Sequence, residues 1–286
     1  MLKIGASARL LTCSLLLTDS ACPWWETGHE TVARIAAAHL TPANRTRVAH
    51  ILDVTDTPEA VSQALAKASL WADETKAETK TGDWHFINLT LQDEKSAIPR
   101  RCPDENCVTA RIRIFAGELT SHSNELEALR YLVHFVGDVH QPLHTISDAD
   151  EGGNCEHLDP PVGRARNLHA LWDGEIINDL NPDDKSLATD LMRDIRTQNL
   201  AHSLSGGSPD DWTWDSHELA VEDIYHKLHI PTEPVIFPAN CDAAPVEIRD
   251  FKPAVDALYV DSMKPVIRMQ LIKAGLRLAR LLNDSL

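Results

Sequence analysis

His134-Phe135-Val136-Gly137-Asp138-Val139-His140-Gln141-Pro142-Leu143-His144 is the stretch from which the fold of this chain can be read. It closes a run in which Leu126, Leu129, Leu132, Val133, Phe135, Val136 and Val139 leave little of a helix's circumference polar. A helix apolar on most sides is a central, buried one. His134 and Asp138 nevertheless share one face of it, four residues apart. A carboxylate buried there is costly unless something neutralises it. Pro142 ends the helix, because the residue before a proline is pushed out of α geometry, and His144 follows in the turn. Two imidazoles and a carboxylate at a buried helix end are groups a metal would use. A plain His–Asp hydrogen bond inside a core is the alternative.

The same spacing recurs in His169-Ala170-Leu171-Trp172-Asp173, on a second predicted helix. Asp73 closes a predicted helix, His85 lies in Asp83-Trp84-His85-Phe86, and His29 follows Trp24-Trp25-Glu26-Thr27-Gly28. Imidazole and carboxylate ligands without thiolate suit a catalytic zinc, where one coordination position is left to water. A carboxylate-bridged diiron bundle would want two Glu-x-x-His pairs, and Glu26-Thr27-Gly28-His29 is only one.

Composition narrows the class. The 286 residues suffice for a sizeable core, and 43% hydrophobic with 24% charged residues is ordinary globular composition. Seven tryptophans are many for a chain only 5% aromatic. A formal net charge of −16 excludes gripping nucleic acid through a broad basic surface, but not chemistry on phosphates where bound cations supply the positive charge.

Residues 1–23 read as an export signal: Lys3 and Arg9 precede the apolar stretch Leu10–Leu17, which is too short to span a bilayer and is followed by small residues. The expected mature domain is 24–286, secreted or periplasmic, with no stable membrane insertion. Export makes Cys102, Cys107, Cys155 and Cys241 readable as disulfides. Four cysteines allow three pairings; Cys102 with Cys107 would close a small loop and leave Cys155 for Cys241, and a thiolate zinc site is the other option.

Periodicity predicts helices over 29–40, just after Thr41-Pro42, and over 59–72, 108–120, 125–140, 167–177, 183–200, 210–228 and 262–283. Residues 83–90 read as β-like and irregular, 147–163 as a loop, and 230–253 as a long Pro-rich surface loop tied down by Cys241. Strands and helices do not alternate, so the expected fold class is all-α, in one domain.

The motifs Trp24-x-x-x-Gly28-His29, Trp71-Ala72-Asp73, His85-Phe86-Ile87, His134-x-x-x-Asp138 with His144 and Gly152-Gly153-Asn154 behind it, and Asn167-Leu168-His169-x-x-x-Asp173 together resemble the S1/P1 nuclease family, in its order and over nearly all the mature chain. The resemblance implies an all-α fold with three zinc ions. One would be held by Asp73, His85, His134 and Asp138, and a second by His144, His169 and Asp173. The third would take the amine and carbonyl of Trp24 and His29, with Asp138 bridging to the first. It also implies hydrolysis of single-stranded DNA and RNA to 5′-phosphate products, with 3′-nucleotides as further substrates, by a monomer. Asp73 would orient the attacking water, and Phe86 would stack a base.

Two positions depart from the family pattern. Asn88 replaces the aspartate with which fungal members bond the base. Lys76 stands where some members place an arginine near the phosphate, keeping the charge and losing the planar fork. The leader carries a net charge of +1, so the mature chain is −17 and three zinc ions bring it to −11; local charge at the metals has to outweigh the global field. Zinc phospholipase C is the second enzymatic reading, and an exported zinc-stabilised binding protein the non-enzymatic one. His140 and His217 are expected to be solvated or structural, and Trp212 and Trp214 core rather than a second stacking surface.

Overall fold

The computed structural model describes residues 24–232 and 240–286; the predicted export signal lies outside them. In chain order the helices are α1 (Glu26–Ala38), α2 (Pro42–Ile51), α3 (Pro58–Ala68), α4 (Trp71–Thr79), α5 (Val108–Thr120), α6 (Glu125–Asp138), α7 (Leu168–Ala170), α8 (Ile176–Leu180), α9 (Asp184–Thr197), α10 (Ala201–Leu204), α11 (Pro209–Leu219), α12 (Val246–Arg249) and α13 (Ala257–Ser285). One antiparallel hairpin, β1 (His157–Val162) with β2 (Ala165–Asn167), is the sheet among the described residues. The expected all-α class holds, with that hairpin as a minor addition.

Local chemistry sets many of the starts. Thr41, Thr57 and Ser208 each cap a helix through the side-chain oxygen, with proline at the first turn, and the last forms a reciprocal box with Asp211. Burial then orders the bundle. α1 packs against α13, α3 and α9, and α6 against α5, α13 and α1. From Ala128 onward only Arg130 of α6 is less than fully buried, as the apolar run required. Leu126 departs from that reading: it sits in the first turn, 40% exposed, before the helix enters the core. Trp212 is core, whereas Trp214 is half-buried.

Several predicted elements are more broken than periodicity suggested. The helix expected over 59–72 ends at Ala68 and a new one starts at Trp71, so Asp73 stands in a first helical turn rather than a last one. Residues 82–85 form a 3-10 turn and Phe86 is extended, after which Leu89 N turns back to Ile87 O (3.2 Å); Ile87 N donates to His144 O (2.9 Å) and Ser147 N to Leu89 O (2.8 Å), so this segment is bonded to the turn carrying His144 without forming a ladder. The 147–163 loop ends in β1. The helix expected over 167–177 is interrupted by a π turn, Leu171–Glu175, and the one over 210–228 by another, Ala220–His226. The 183–200 helix stops at Thr197, and the last helix begins earlier than expected, at Ala257. Part of 230–253 lies outside the described residues; the rest includes the turn Cys241–Ala243 and α12. Disulfides join Cys102 to Cys107 and Cys155 to Cys241, which excludes a thiolate metal site at these four residues.

Candidate metal centre

Asp138, the last residue of α6, is fully buried and surrounded by imidazoles. Its Oδ2 faces His85 Nδ1 at 3.0 Å and His134 Nε2 at 3.2 Å, and those two nitrogens are 3.0 Å apart. Asp73 Oδ1, from the first turn of α4, lies 3.6 Å from His85 Nδ1 and 3.7 Å from His134 Nε2. Atoms at the corners of a tetrahedron with zinc bonds of about 2.0–2.1 Å stand roughly 3.3 Å apart. Two nitrogens and two oxygens therefore already converge at close to that spacing.

The other oxygen of Asp138 looks elsewhere. Oδ1 has no hydrogen bond, and lies 3.4 Å from His29 Nε2 and 3.9 Å from His144 Nδ1. The imidazole of His29 stacks on that of His134 with centroids 4.0 Å apart. Gly137 makes this approach possible, since a Cβ there would meet His29 Nδ1 at 2.7 Å. A second group is built by His144, His169 and Asp173: His169 Nε2 is 3.2 Å from Asp173 Oδ2 and His144 Nε2 is 3.7 Å from Asp173 Oδ1. His144 Nε2 and Asp173 Oδ2 are buried without hydrogen bonds. Orphaned buried polar atoms are rare in folded proteins and ask for a ligand.

Backbone carbonyls orient the rings. Nδ1 of His134 donates to Ser69 O (2.6 Å), that of His144 to His85 O (2.9 Å) and that of His169 to Gly152 O (2.7 Å). With Nδ1 holding the proton, Nε2 presents a lone pair, the tautomer a metal ligand needs. The break between α3 and α4 supplies the first of these carbonyls. The third comes from a turn in which Gly152 has φ +61°, and a Cβ there would run into Leu143 O. The Asp150 carboxylate holds that turn by accepting Gly152 N and Gly153 N, and it accepts the Tyr225 hydroxyl as well. Gly152 stands in the family motif, but spacing does not mark Ser69, Asp150 or Tyr225 for these roles, because a carbonyl carries no sequence signature and Asp150 and Tyr225 meet from a distance in the chain.

Charge is balanced within the cluster. For His134, desolvation by burial is outweighed by the Asp138 and Asp73 carboxylates, which lift its pKa to about 9. Burial would raise Asp173, but His169 and His144 hold it down at about 2. Burial lowers His85, and burial with the neighbouring His134 lowers His29. Burial also works against a charge on His169, but the Asp173 carboxylate raises it, so without metal the carboxylates are matched by protons on His134 and His169 rather than on His85 and His29.

The remaining expected site residues are placed as follows. Lys76 Nζ lies 3.1 Å from Asp73 Oδ1. Trp24 is buried at the start of α1, against Gly28, and the next residue's N–H, Trp25 N, donates to Asp173 O (2.8 Å). Phe86 and Asn88 are both half-buried and follow His85, alternating in the chain with the buried Ile87 and Leu89. His140 and His217 are buried rather than solvated. His140 donates Nδ1 to Val136 O and accepts Arg277 at Nε2, while burial and Arg277 hold its pKa well below the usual value.

Comparison with known proteins agrees with this geometry. The family model for S1/P1 Nuclease matches residues 24–286. Endonuclease 2 of Arabidopsis thaliana is 30% identical, covering 91% of this chain and 89% of that protein. Nuclease P1 of Penicillium citrinum is 28% identical, covering 91% and 97%. Nuclease S1 of Aspergillus oryzae is 27% identical, covering 96% and 97%. With the family model matching residues 24–286, this chain belongs to the S1/P1 nuclease family, hydrolases acting on phosphodiester bonds.

Proposed function

We propose that this nuclease is an exported, monomeric, three-zinc enzyme that cuts single-stranded DNA and RNA to 5′-phosphate products and removes phosphate from 3′-nucleotides. The observation that carries the metal assignment is the convergence of His85, His134, Asp73 and Asp138 at tetrahedral spacing, with orphaned buried atoms on Asp138 and Asp173. Asp73, His85, His134 and Asp138 would hold one zinc and His144, His169 and Asp173 another. His29, with the amine and carbonyl of Trp24, would hold the third. Asp138 would bridge through its two differently facing oxygens. When bound, zinc supplies Lewis-acid stabilisation of phosphate charge and lowers the pKa of water.

The chain's own groups do the rest. Asp73 accepts a proton-bearing neighbour and fixes its direction, the orienting role assigned to it. Lys76, beside Asp73, adds a positive charge for a phosphate oxygen. Phe86 offers a face to a base and Asn88 an amide to its edge. An acidic chain holds a stiff, densely charged duplex poorly, whereas a single strand can splay a base onto an aromatic ring. The deciding experiment pairs elemental analysis with hydrolysis of single-stranded DNA, duplex DNA, RNA and phosphatidylcholine. Comparable rates on duplex and single strand at low salt, products with 3′-phosphates, or cleavage of the lipid alone would each defeat the proposal. Phe86→Ala is expected to weaken substrate binding by roughly 1–3 kcal/mol, the value of a lost stacked base, and to show mainly in KM. An unchanged KM would remove Phe86 from the site.

The N-terminus carries its own expectation. An α-amine coordinates only when neutral, and its unperturbed pKa near ~8 makes that accessible; a peptide nitrogen cannot replace it, because its lone pair is delocalised into the amide. A recombinant form beginning at Cys22 should therefore hold one zinc fewer than a form beginning at Trp24 and lose activity with it. N-terminal sequencing of the exported protein, with zinc counts on both forms, checks this; equal zinc and equal activity would refute it.

A further inference from the structure

Gln141 lies between the two metal groups and touches one of them. It is fully buried, in the turn that follows α6. Its Oε1 accepts the N–H of Leu143 at 2.6 Å, and its Nε2 donates to Asp173 Oδ1 at 2.5 Å. The assignment of the two amide atoms follows from chemistry: a backbone N–H requires an acceptor, so the oxygen faces Leu143 and the NH2 group is left for the carboxylate. The other oxygen of Asp173, Oδ2, has no hydrogen bond and faces His169 Nε2 at 3.2 Å. A carboxylate with one oxygen tied down and one free has a fixed plane and one direction in which to bind.

The support for Gln141 is rigid. The backbone one residue earlier is clamped to the C-terminal helix, where Gln270 Nε2 donates to His140 O (2.8 Å) and to Ser216 Oγ (3.2 Å). Arg277, held by Asp215 at 2.6 Å, donates to His140 Nε2 at 2.9 Å. Asp173 needs such a brace because it sits in the π turn, where the i to i−4 ladder of an ordinary helix is locally replaced. Its partner His169 is held from the other side by Gly152 O.

We infer that Gln141 is a positioning residue of the His144–His169–Asp173 metal site: its amide fixes the Asp173 carboxylate and directs Oδ2 at the ion, coupling the end of α6 to the π turn. This rests on the zinc reading proposed above. Hydrogen-bond partners of metal ligands typically change metal affinity by roughly 10–100-fold when removed.

The test uses the full-length holoprotein and zinc itself as the probe. Gln141→Met removes both hydrogen bonds at similar volume. Gln141→Glu keeps an acceptor for Leu143 and, when ionised, removes the donor to Asp173. Zinc retained at graded chelator concentrations is counted by elemental analysis, with thermal melts of each chelated form alongside. Both variants are expected to release one zinc at roughly 10–100-fold higher free zinc than the parent, the other ions being held as before. Unchanged affinity in both would overturn the inference. A loss in Gln141→Met alone, with the Gln141→Glu affinity offset from the parent independent of pH, would also overturn it, since no proton on the new carboxyl would then be standing in for the amide donor and the residue would serve only to cap Leu143. A parent protein that takes up no zinc at all would instead defeat the underlying zinc reading, so the two failures can be told apart. If Gln141→Glu does not fold, Gln141→Met with full zinc affinity still refutes the assignment.

Discussion

Replacing Asp138 with alanine should remove at least two zinc ions and reduce nuclease activity by on the order of a thousandfold or more, the scale seen when one member of a catalytic unit is deleted. The carboxylate is fully buried, and its two oxygens face different imidazoles, His85 and His134 on one side and His29 on the other. Losing it would remove the proposed bridging ligand and also take from buried His134 its principal carboxylate partner, and breaking a buried ion pair from one side costs about 3–5 kcal/mol. Asp138→Asn separates the two effects: it keeps the shape and the uncharged bulk but offers one weak ligand oxygen. It is expected to fold better than Asp138→Ala and still lose the bridged metals. Elemental analysis and activity on single-stranded DNA decide the matter. Full zinc content together with the parental rate in Asp138→Ala would show that the bridge is wrongly placed.

Chelation is expected to abolish activity and to lower the melting temperature by about ten degrees or more. The proposed ligands come from the start of α1, from α4, from the turn at His85, from α6 with its following turn, and from the π-turn region. A ligand that binds only the folded chain at a thousand times its Kd contributes about 4 kcal/mol per site. In a protein of this size roughly 2–4 °C accompany each kcal/mol. Metal affinity should also rise with pH. In the metal-free protein His134 titrates near 9, above its ordinary 6.5, so its charged form contributes stability that is fully present below 6.5 and is lost as pH rises through 9. Zinc must displace that proton, so its apparent affinity is expected to increase between those two values. Zinc titrations across this range, with melts before and after chelation, check both statements. An unchanged melting temperature after verified zinc removal would contradict the first, and a flat affinity the second.

The sequence by itself determined the helical class and the buried helix at its centre, through the apolar residues between Leu129 and Val139. It also determined the eight side chains that meet at the cluster and the break at Pro142 that brings His144 back to it. The helix, its end at Pro142 and the two His-x-x-x-Asp pairs are legible because each rests on side-chain type at a local spacing, whereas Asp73, His85 and His29 are joined to them by the family resemblance. Four cysteines left three pairings open, and the structure chose Cys102–Cys107 and Cys155–Cys241. Other features only the tertiary structure decided. Asp73 stands in the first turn of a new helix because the chain breaks after Ala68 and restarts at Trp71, a break that no glycine or proline marks in the sequence. Asp173 sits in a π turn just after the short helix of His169, and that turn shows no spacing different from a helix. His140, apparently spare in the sequence, is a buried acceptor for Arg277, 137 residues away. The carbonyls of Ser69, His85 and Gly152 set the tautomers of three rings, and the amide of Gln141 holds Asp173. Every one of these depends on a backbone group, or on a partner distant in the chain. Local spacing specifies which side chains can bind a metal; the direction in which each presents its lone pair is set by long-range packing, which no local pattern records.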